Sequence, residues 1–236
     1  MQIEYMKKNL FKLLMIQVNI LFLIKKASNK SFPIIALFMQ LLLLQNQLKN
    51  ESGFHFIDST PVSTCLNRRI FSHKVTKKIA SHGKSTKGWF YGFKLHGVCS
   101  EKSLLESVLF TSGNINDSKM IEQVTKNLKG SLFCDAGYLK KSKELIKLAD
   151  SGRFIYAATR QNMNRLMPCE QWEHLRKRNI IESDWGVLKQ NYFLEYQQAR
   201  CMDGLFRHYV SCISAYILQC RLKSYPKIKN SNLGLN

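Results

Sequence analysis

Three acidic residues occupy positions at which carboxylates could carry chemistry. Asp58 follows the hydrophobic run Phe54–Ile57, and Asp135 follows the run Ser131–Cys134. Aromatic and β-branched residues favour short buried strands in both runs, so we expect each aspartate at the end of a strand. Glu182 lies in the segment IIESDWGVLK, where the apolar residues recur at helical spacing.

Carboxylates that meet in one place repel each other unless a cation lies between them. Magnesium or manganese, bound by Asp and Glu oxygens together with water and phosphate, satisfies that requirement. Two such ions about 4 Å apart can activate the attacking oxygen and stabilise the leaving oxygen when a phosphodiester is displaced. The sequence has no glycine-rich phosphate loop, no nucleophile elbow and no HExxH helix. The three acids therefore predict a two-metal site for phosphodiester chemistry.

Each of these residues also has a purely structural interpretation. A single aspartate at the end of a strand is commonly a turn former or a cap, and Asp117, which follows Asn116, could simply cap its helix. His96 is expected to be a hydrogen-bonded residue of the core or of a groove rather than a metal ligand. The aromatic residues of the same segment are expected to form core and strand rather than to stack on bases: Trp89, Phe90, Tyr91 and Phe93.

The charge of the chain points to a polyanionic partner. The formal net charge is +20, with 36 basic and 16 acidic residues. Nucleic acid is the usual partner of such a surface, and an anionic membrane is the second choice. The segment Leu66–Lys102 contains one acid, Glu101, and many cations. We expect DNA contacts from Arg68, Arg69, Lys74, Lys84, Lys87, Lys94 and His96, and from Arg178 and Lys189 on either side of Glu182.

The cysteines and the apolar segments indicate in which compartment the protein is expected to work. The seven cysteines never occur as Cys-x-x-Cys, which argues against a disulfide framework and a structural zinc site and favours a reducing cytoplasm. The apolar segments Leu10–Ile24 and Phe32–Leu44 are each shorter than the roughly 18–20 residues of a membrane helix. They predict either two short helices packed on the main domain or a remnant of a longer domain. A membrane anchor is the least favoured interpretation.

The order of elements predicts a mixed α/β sheet flanked by helices. A strand that stops at Ser59–Pro61 is followed by an irregular loop, and then by a hairpin, a helix, a strand, a helix, a strand and further helices. The expected spans after the loop of 65–87 are strands at 89–99 and 104–111, a helix from Asp117 to about Leu128, a strand at 131–135, a helix at 138–149, a strand at 154–158, and helices from Pro168 and at 205–222. Asp58 and Asp135 would lie on neighbouring central strands. The predicted domains are an N-terminal helical segment, 1–50, a catalytic domain, 51–222, and a basic tail, 223–236.

Five segments resemble, in this order, the motifs of the DDE transposases of bacterial insertion sequences, above all those of the insertion-sequence 982 family. They are FIDSTPVSTCLNRRIFSHKV, GKSTKGWFYGFKLHGV, TSGNINDSK, LFCDAGY and IIESDWGVLKQ. The resemblance implies an RNase H-like catalytic fold in which Asp58, Asp135 and Glu182 hold two Mg²⁺ or Mn²⁺ ions. Arg178 and Lys189 match the cations that flank the family's glutamate, whereas Leu175 stands where the family usually has tyrosine.

The resemblance also implies an activity and its partners. Such an enzyme cleaves double-stranded DNA at the terminal inverted repeats of a transposon and transfers the freed 3′-hydroxyl to target DNA, and pairing of the two ends implies a homodimer in the cytoplasm, on the nucleoid. Residues 1–30 do not resemble the family's end-binding region, which predicts a truncation or an old frameshift. Two alternatives remain: a catalytically degenerate DNA-binding protein, and a metal-dependent nuclease that cuts duplexes without joining ends.

Overall fold

The computed structural model describes residues 31–158, 168–196 and 198–224. The strands are β1 (Phe54–Cys65), β2 (Ser81–Ser85), β3 (Gly88–Ser100), β4 (Leu105–Ser112), β5 (Gly130–Cys134) and β6 (Arg153–Ala157). The helices are α1 (Ser31–Lys49), α2 (Asp117–Val124), α3 (Ser142–Asp150), α4 (Cys169–Lys177), α5 (Asn179–Gln190) and α6 (Met202–Ser224). This order confirms the predicted mixed α/β class.

The six strands form one mixed sheet with β1 at its centre. β1 pairs antiparallel with β3 on one side and parallel with β5 on the other, and β6 extends the sheet in parallel beyond β5. β3 is long enough for two partners along its outer edge, first β2 and then β4. The parallel strands are connected through α2 and α3, as expected for crossover units.

Each face of the sheet has its own hydrophobic core, because successive strand residues point to opposite faces. Phe56 and Phe133 pack in one core with residues of α1, α4, α5 and α6. Ile57 packs in the other core with residues of α2 and α3. Asp58 lies two residues after Phe56 and therefore faces the side of the sheet covered by α5.

The predicted hairpin at 89–111 and the strands near 131 and 154 are confirmed, but three expectations were wrong. Ser59–Pro61 does not end β1, which continues to Cys65 because β3 pairs along it. Proline is tolerated there because β5 pairs only with Phe54–Phe56, so the missing N–H of Pro61 interrupts no ladder on that side. The expected irregular loop contains β2, and Trp89 lies on the surface rather than in the core.

Two helices also have boundaries that differ from the predicted ones. α2 ends at Val124 rather than near Leu128, and α3 begins at Ser142 because Ala136–Tyr138 form a 3₁₀ turn. The second predicted N-terminal helix is confirmed as α1, which packs against α6. The predicted helix at 10–24 and most of the basic tail, 225–236, lie outside the described residues. Among the described helices none is both long and apolar enough to span a bilayer.

Candidate active site

The register of β1 and β5 brings the two predicted aspartates together. Phe56 pairs with Phe133 in the parallel ladder; Asp58 lies two residues further along β1, and Asp135 directly follows the last residue of β5. Neighbouring strands are about 4.8 Å apart, so the two backbone positions are adjacent. Strand alternation turns both side chains to the face of the sheet that α5 covers. The predicted neighbouring placement of the two strands is therefore confirmed.

Asp58 is a mostly buried carboxylate with two charged or polar partners. The indole Nε1 of Trp185 donates to Oδ2 at 3.2 Å, and Nη1 of Arg178 lies 3.4 Å from Oδ1. Burial raises the pKa of Asp58 to about 6, and the negative charge of Glu182 adds to that rise. The guanidinium of Arg178 and the Trp185 hydrogen bond act in the opposite direction. The buried carboxylate of Asp58 therefore needs a positive charge nearby to compensate its own.

Arg178 connects Asp58 to the predicted third acid. Its Nη2 lies 2.8 Å from Oε1 of Glu182, one helical turn away, while its Nη1 faces Asp58. The side chain of Glu182 is 49% exposed and that of Arg178 is 18% exposed. The guanidinium therefore lies between two of the three carboxylates that the sequence assigned to a metal.

Trp185 fits against β3 only because Gly97 has no side chain. Gly97 pairs with Asp58 across the two strands. A Cβ on Gly97 would lie 2.3 Å from the Cη2 atom of the Trp185 ring, which is closer than any real contact. The glycine thus permits the indole to reach over β3 and donate to the carboxylate on β1.

Lys189 is held near the same strand, one further helical turn along α5. Its Nζ donates to the carbonyl oxygen of Pro61 and lies 3.4 Å from Glu195. Glu195 also accepts from the backbone N–H of Ser63. Burial lowers the pKa of Lys189, Glu195 opposes that effect, and the charge of Lys87 lowers the pKa further. The β2–β3 turn that carries Lys87 is therefore close to this side of the site.

Asp135 occupies the turn that leaves β5. Its side chain is exposed and accepts a hydrogen bond from the backbone N–H of Ala136 at 2.7 Å, so it also caps the 3₁₀ turn, as its structural interpretation expected. Its other oxygen is not used in that bond. The capping role and a ligand role are compatible, because a carboxylate has several acceptor sites.

A fourth acid, Asp117, lies beside Ser59 of β1. Its Oδ1 accepts from Ser59 Oγ at 3.1 Å and from Lys94 Nζ at 3.1 Å. His96 is fully buried, hydrogen-bonds Thr111 at 2.8 Å and has a pKa lowered to about 4 by burial. Lys94 and His96 are therefore engaged inside the protein, and this arrangement gives no support to their predicted contacts with DNA.

The predicted DNA contacts between β1 and β3 are available to solvent. The cations between β1 and β3 are all exposed, and we call them the cationic belt: Arg68, Arg69, Lys74, Lys77, Lys78, Lys84 and Lys87. No Asp or Glu occurs between Leu66 and Ser100. The belt is thus a surface of one sign, which attracts phosphates.

Within the described residues, no three His, Cys, Asp or Glu side chains are arranged to hold a metal ion. The nature of the donors still fits a hard divalent cation, because the three predicted ligands offer only carboxylate oxygens. The positive charge that such an ion would bring is supplied at Asp58 and Glu182 by Arg178.

The family model described as a transposase DDE domain matches residues 48–202, which is more than half of the chain. The chain belongs to the transposase DDE domain family. The sheet flanked by helices is consistent with the RNase H-like fold of such transposases. Membership supports a transposase function and implies binding to DNA. No curated protein matches the chain.

Sequence reasoning missed two features of this transposase-family site. The Trp185–Asp58 hydrogen bond depends on Gly97, and a glycine inside a strand can indicate a close approach of this kind. The sequence did not show which strand Gly97 would pair with. Asp117 was treated only as a helix cap, but Asn116 makes the cap and Asp117 instead pairs with Lys94 and Ser59.

Proposed function

We propose that this protein is a DNA transposase of the insertion-sequence 982 type. It would hydrolyse phosphodiester bonds at the ends of a mobile element and then join the freed 3′-hydroxyl to target DNA. The observation that carries the proposal is the adjacent placement of Asp58 and Asp135 on parallel strands of a transposase DDE domain. Glu182, linked to Asp58 through Arg178, completes the set.

The proposed ligands of two Mg²⁺ or Mn²⁺ ions are Asp58, Asp135 and Glu182. When bound, such ions activate a water or a 3′-hydroxyl and stabilise the leaving oxygen. The protein itself orients the first ligand, since Trp185 donates to one oxygen of Asp58 and Gly97 makes room for the indole. Arg178 must release at least one carboxylate as the ligands assemble, and it then becomes available to a phosphate.

The proposed partners are double-stranded DNA at the terminal inverted repeats and in the target. The cationic belt and Lys189 would contact the phosphates, and two copies of the chain would hold the two ends. The charge of Lys87, the last cation of the belt, acts on Lys189, which supports a role for this end of the belt beside α5.

A cleavage assay tests the proposal. Purified full-length protein is incubated with Mg²⁺ and a supercoiled plasmid carrying the DNA that flanks the reading frame. We expect cleavage and strand transfer with the natural protein and loss of both, by at least a hundredfold, with Asp135→Asn, since the amide keeps the shape but loses the charge. Asp150→Asn, an exposed control at the end of α3, should be fully active. Undiminished activity of Asp135→Asn would refute the assignment.

One observation favours a second candidate, a DNA-binding protein without catalysis. Arg178 already compensates the charge of Asp58 and Glu182, and the described residues contain no preformed metal-binding group. This candidate predicts salt-dependent DNA binding that does not respond to Mg²⁺ and that survives replacement of all three acids by amides. The transposase proposal instead predicts that Mg²⁺ changes the binding and that the triple variant loses this response.

A further inference from the structure

The ring of Trp89 is unusually exposed for an aromatic residue in a sheet. Trp89 is 64% exposed, whereas Phe90 and Tyr91, the next two residues of β3, are 6% and 7% exposed. Large apolar side chains are normally buried when they lie among strand residues of this kind. The exposure of Trp89 contradicts its predicted place in the core and leaves this residue open to a ligand.

The surroundings of Trp89 are cationic. Lys84 is its cross-strand partner on β2, and the Lys84 Nζ lies 5.8 Å from the centre of the indole ring. The backbone carbonyl of Trp89 accepts from Asn67 at 2.9 Å, which ties β3 to the turn that carries Arg68 and Arg69. The ring of Phe71, 97% exposed, belongs to the same segment.

We propose that Trp89, with Lys84 beside it, stacks on an unpaired base of the DNA that the active site processes. A single-stranded nucleic acid is bound in this way by aromatic rings that stack on bases and by cations that contact the backbone. Paired bases inside a duplex are covered on both faces by their neighbours, so only an unpaired or displaced base offers a free face to the indole. The absence of acids between Leu66 and Ser100 favours a polyanion over an apolar protein partner.

The position of Trp89 relates this surface to the candidate active site. β3 runs from Trp89 to Gly97, which pairs with Asp58, over about 26 Å at roughly 3.3 Å per residue. The stacked base would therefore lie several nucleotides from the reacting phosphate on the same DNA. Lys87, in the turn just before β3, is close enough to Lys189 for their charges to interact. This inference rests on the proposed DNA chemistry and adds the kind of DNA structure that is recognised.

The test compares two 30-base-pair DNA duplexes that differ only by a three-nucleotide single-stranded gap at the centre. Identical ends cancel any stacking on terminal base pairs. Binding of the full-length protein is measured in EDTA. We expect the natural protein to prefer the gapped duplex by about tenfold, because a stacked base contributes on the order of one to two powers of ten to affinity. Trp89→Ala should lose the preference and bind the intact duplex within about twofold of the natural protein.

Two further variants make the result specific. Trp89→Phe should keep most of the preference, since it retains an aromatic face. Trp172→Ala should keep all of it: Trp172 is 55% exposed on α4, but two acids, Glu170 and Glu173, lie within two residues of it in the sequence. Binding of the gapped duplex should also quench tryptophan fluorescence in the natural protein. This quenching should be smaller in Trp89→Phe, which lacks the indole at position 89.

The inference is overturned if the natural protein binds both duplexes equally, or if Trp89→Ala keeps the preference. It is also overturned if Trp89→Ala weakens binding to both duplexes by the same factor, which would indicate ordinary backbone contact. Failure of the proposed transposase chemistry gives a different result. The preference would then persist in EDTA, and in Asp135→Asn, while the natural protein cleaved no DNA with Mg²⁺.

Discussion

At the scale of single residues, the candidate site contains one acid, Asp58, whose charge stabilises the fold poorly. Asp58 is buried, its pKa is raised to about 6, and its nearest cation is shared with Glu182. A carboxylate kept in such a place without full compensation costs free energy. Costs of this kind are common where function requires a charge.

Replacing Asp58 by asparagine should therefore stabilise the protein at neutral pH. Because the pKa of Asp58 rises from the ordinary value of 3.8 to about 6 in the folded state, its ionisation lowers the stability of the fold as pH rises from about 4 to about 6, and the full cost is present above pH 6. We expect Asp58→Asn to raise the free energy of unfolding by about 1–2 kcal/mol at pH 7.5. The gain should shrink as pH falls through 6 and vanish below about 4.

Chemical denaturation at pH 4, 6 and 7.5 measures this effect. Asp150→Asn serves as the control, since Asp150 is exposed at the end of α3 and its replacement should change stability little at any of these pH values. A loss of stability in Asp58→Asn at pH 7.5 would mean that the Arg178 and Trp185 contacts outweigh the cost of burial.

At the scale of elements, α5 is the part of the chain that links the site together. It carries Glu182, Trp185 and Lys189 on successive turns and begins directly after Arg178. Its distance from the sheet is set by the contact between Trp185 and Gly97. A side chain at position 97 would therefore push against α5 and displace Glu182, Trp185 and Lys189 together.

Gly97→Ala should displace Trp185 and weaken its bond to Asp58. Overpacking of a filled core costs about 1–3 kcal/mol, so we expect a loss of that size in the free energy of unfolding and a large loss of cleavage. Gly186→Ala is the matched control, because a Cβ on Gly186 meets no atom within 4 Å and alanine favours a helix.

A double-mutant cycle identifies the contact itself. Phenylalanine lacks the outer ring atoms of Trp185 that would meet the new methyl group. Gly97→Ala should therefore cost less in the Trp185→Phe background than in the natural protein, with a coupling of about 1 kcal/mol or more. Strict additivity of the two changes would show that the alanine acts elsewhere.

The helix α1 is attached through a buried polar network. His55 Nδ1 lies 2.6 Å from Glu106 Oε2, and Asn50 donates to the other oxygen at 2.8 Å. On α1, Asn46 donates to the carbonyl of Leu105 at 2.6 Å. Burial alone would lower the pKa of His55, but the hydrogen bond and charge of Glu106, aided by the carbonyl of Lys129, raise it on balance.

Glu106→Gln should destabilise the protein in a pH-dependent way. A raised histidine pKa means that the ion pair stabilises the fold below the ordinary pKa of about 6.5, and that this contribution disappears as pH rises through the higher folded value. We expect a loss of about 3 kcal/mol at pH 6 and a smaller loss at pH 9. Glu122→Gln removes an exposed pair with Lys147 and should cost under about 0.5 kcal/mol. A pH-independent loss in Glu106→Gln would contradict the assignment of charge to His55.

At the scale of the whole molecule, the dominant property is the positive net charge. The net charge is +20, and the cationic belt lies between β1 and β3, close to Lys189. Because phosphate contacts release counterions, the belt should govern the salt dependence of DNA binding rather than its sequence preference.

Neutralising Arg68, Arg69 and Lys74 together should reduce the slope of log affinity against log salt by about 2–3 units, since each lost phosphate contact removes about 0.9. Affinity should fall by a similar factor for unrelated duplexes. The control neutralises three other exposed lysines: Lys143 and Lys147 on α3, and Lys126 just after the end of α2. Equal slopes for the two triple variants would show that the belt is not the DNA-binding surface.

The amino-acid sequence by itself predicted most of the elements and named the candidate acids. Aromatic and β-branched runs with an aspartate at the end predicted β5, the turn after it and the start of β1, because side-chain patterns report local burial directly. The same local patterns predicted that α5 would carry Glu182. They also set the charge of the belt, which depends on composition alone.

Only the tertiary structure decided what those residues touch. Pro61 appeared to end β1, but pairing with β3 extends the strand, and local propensity cannot report a partner that is distant in sequence. Trp89 appeared to belong to the core but is exposed, and the sequence did not reveal that Gly97 lies under the ring of Trp185; both facts follow from the register of the strands that pair with β3. His96 is buried and hydrogen-bonded, as its structural interpretation expected. Register is a non-local property, because it is fixed by contacts between residues far apart in the chain, and the candidate site depends on it.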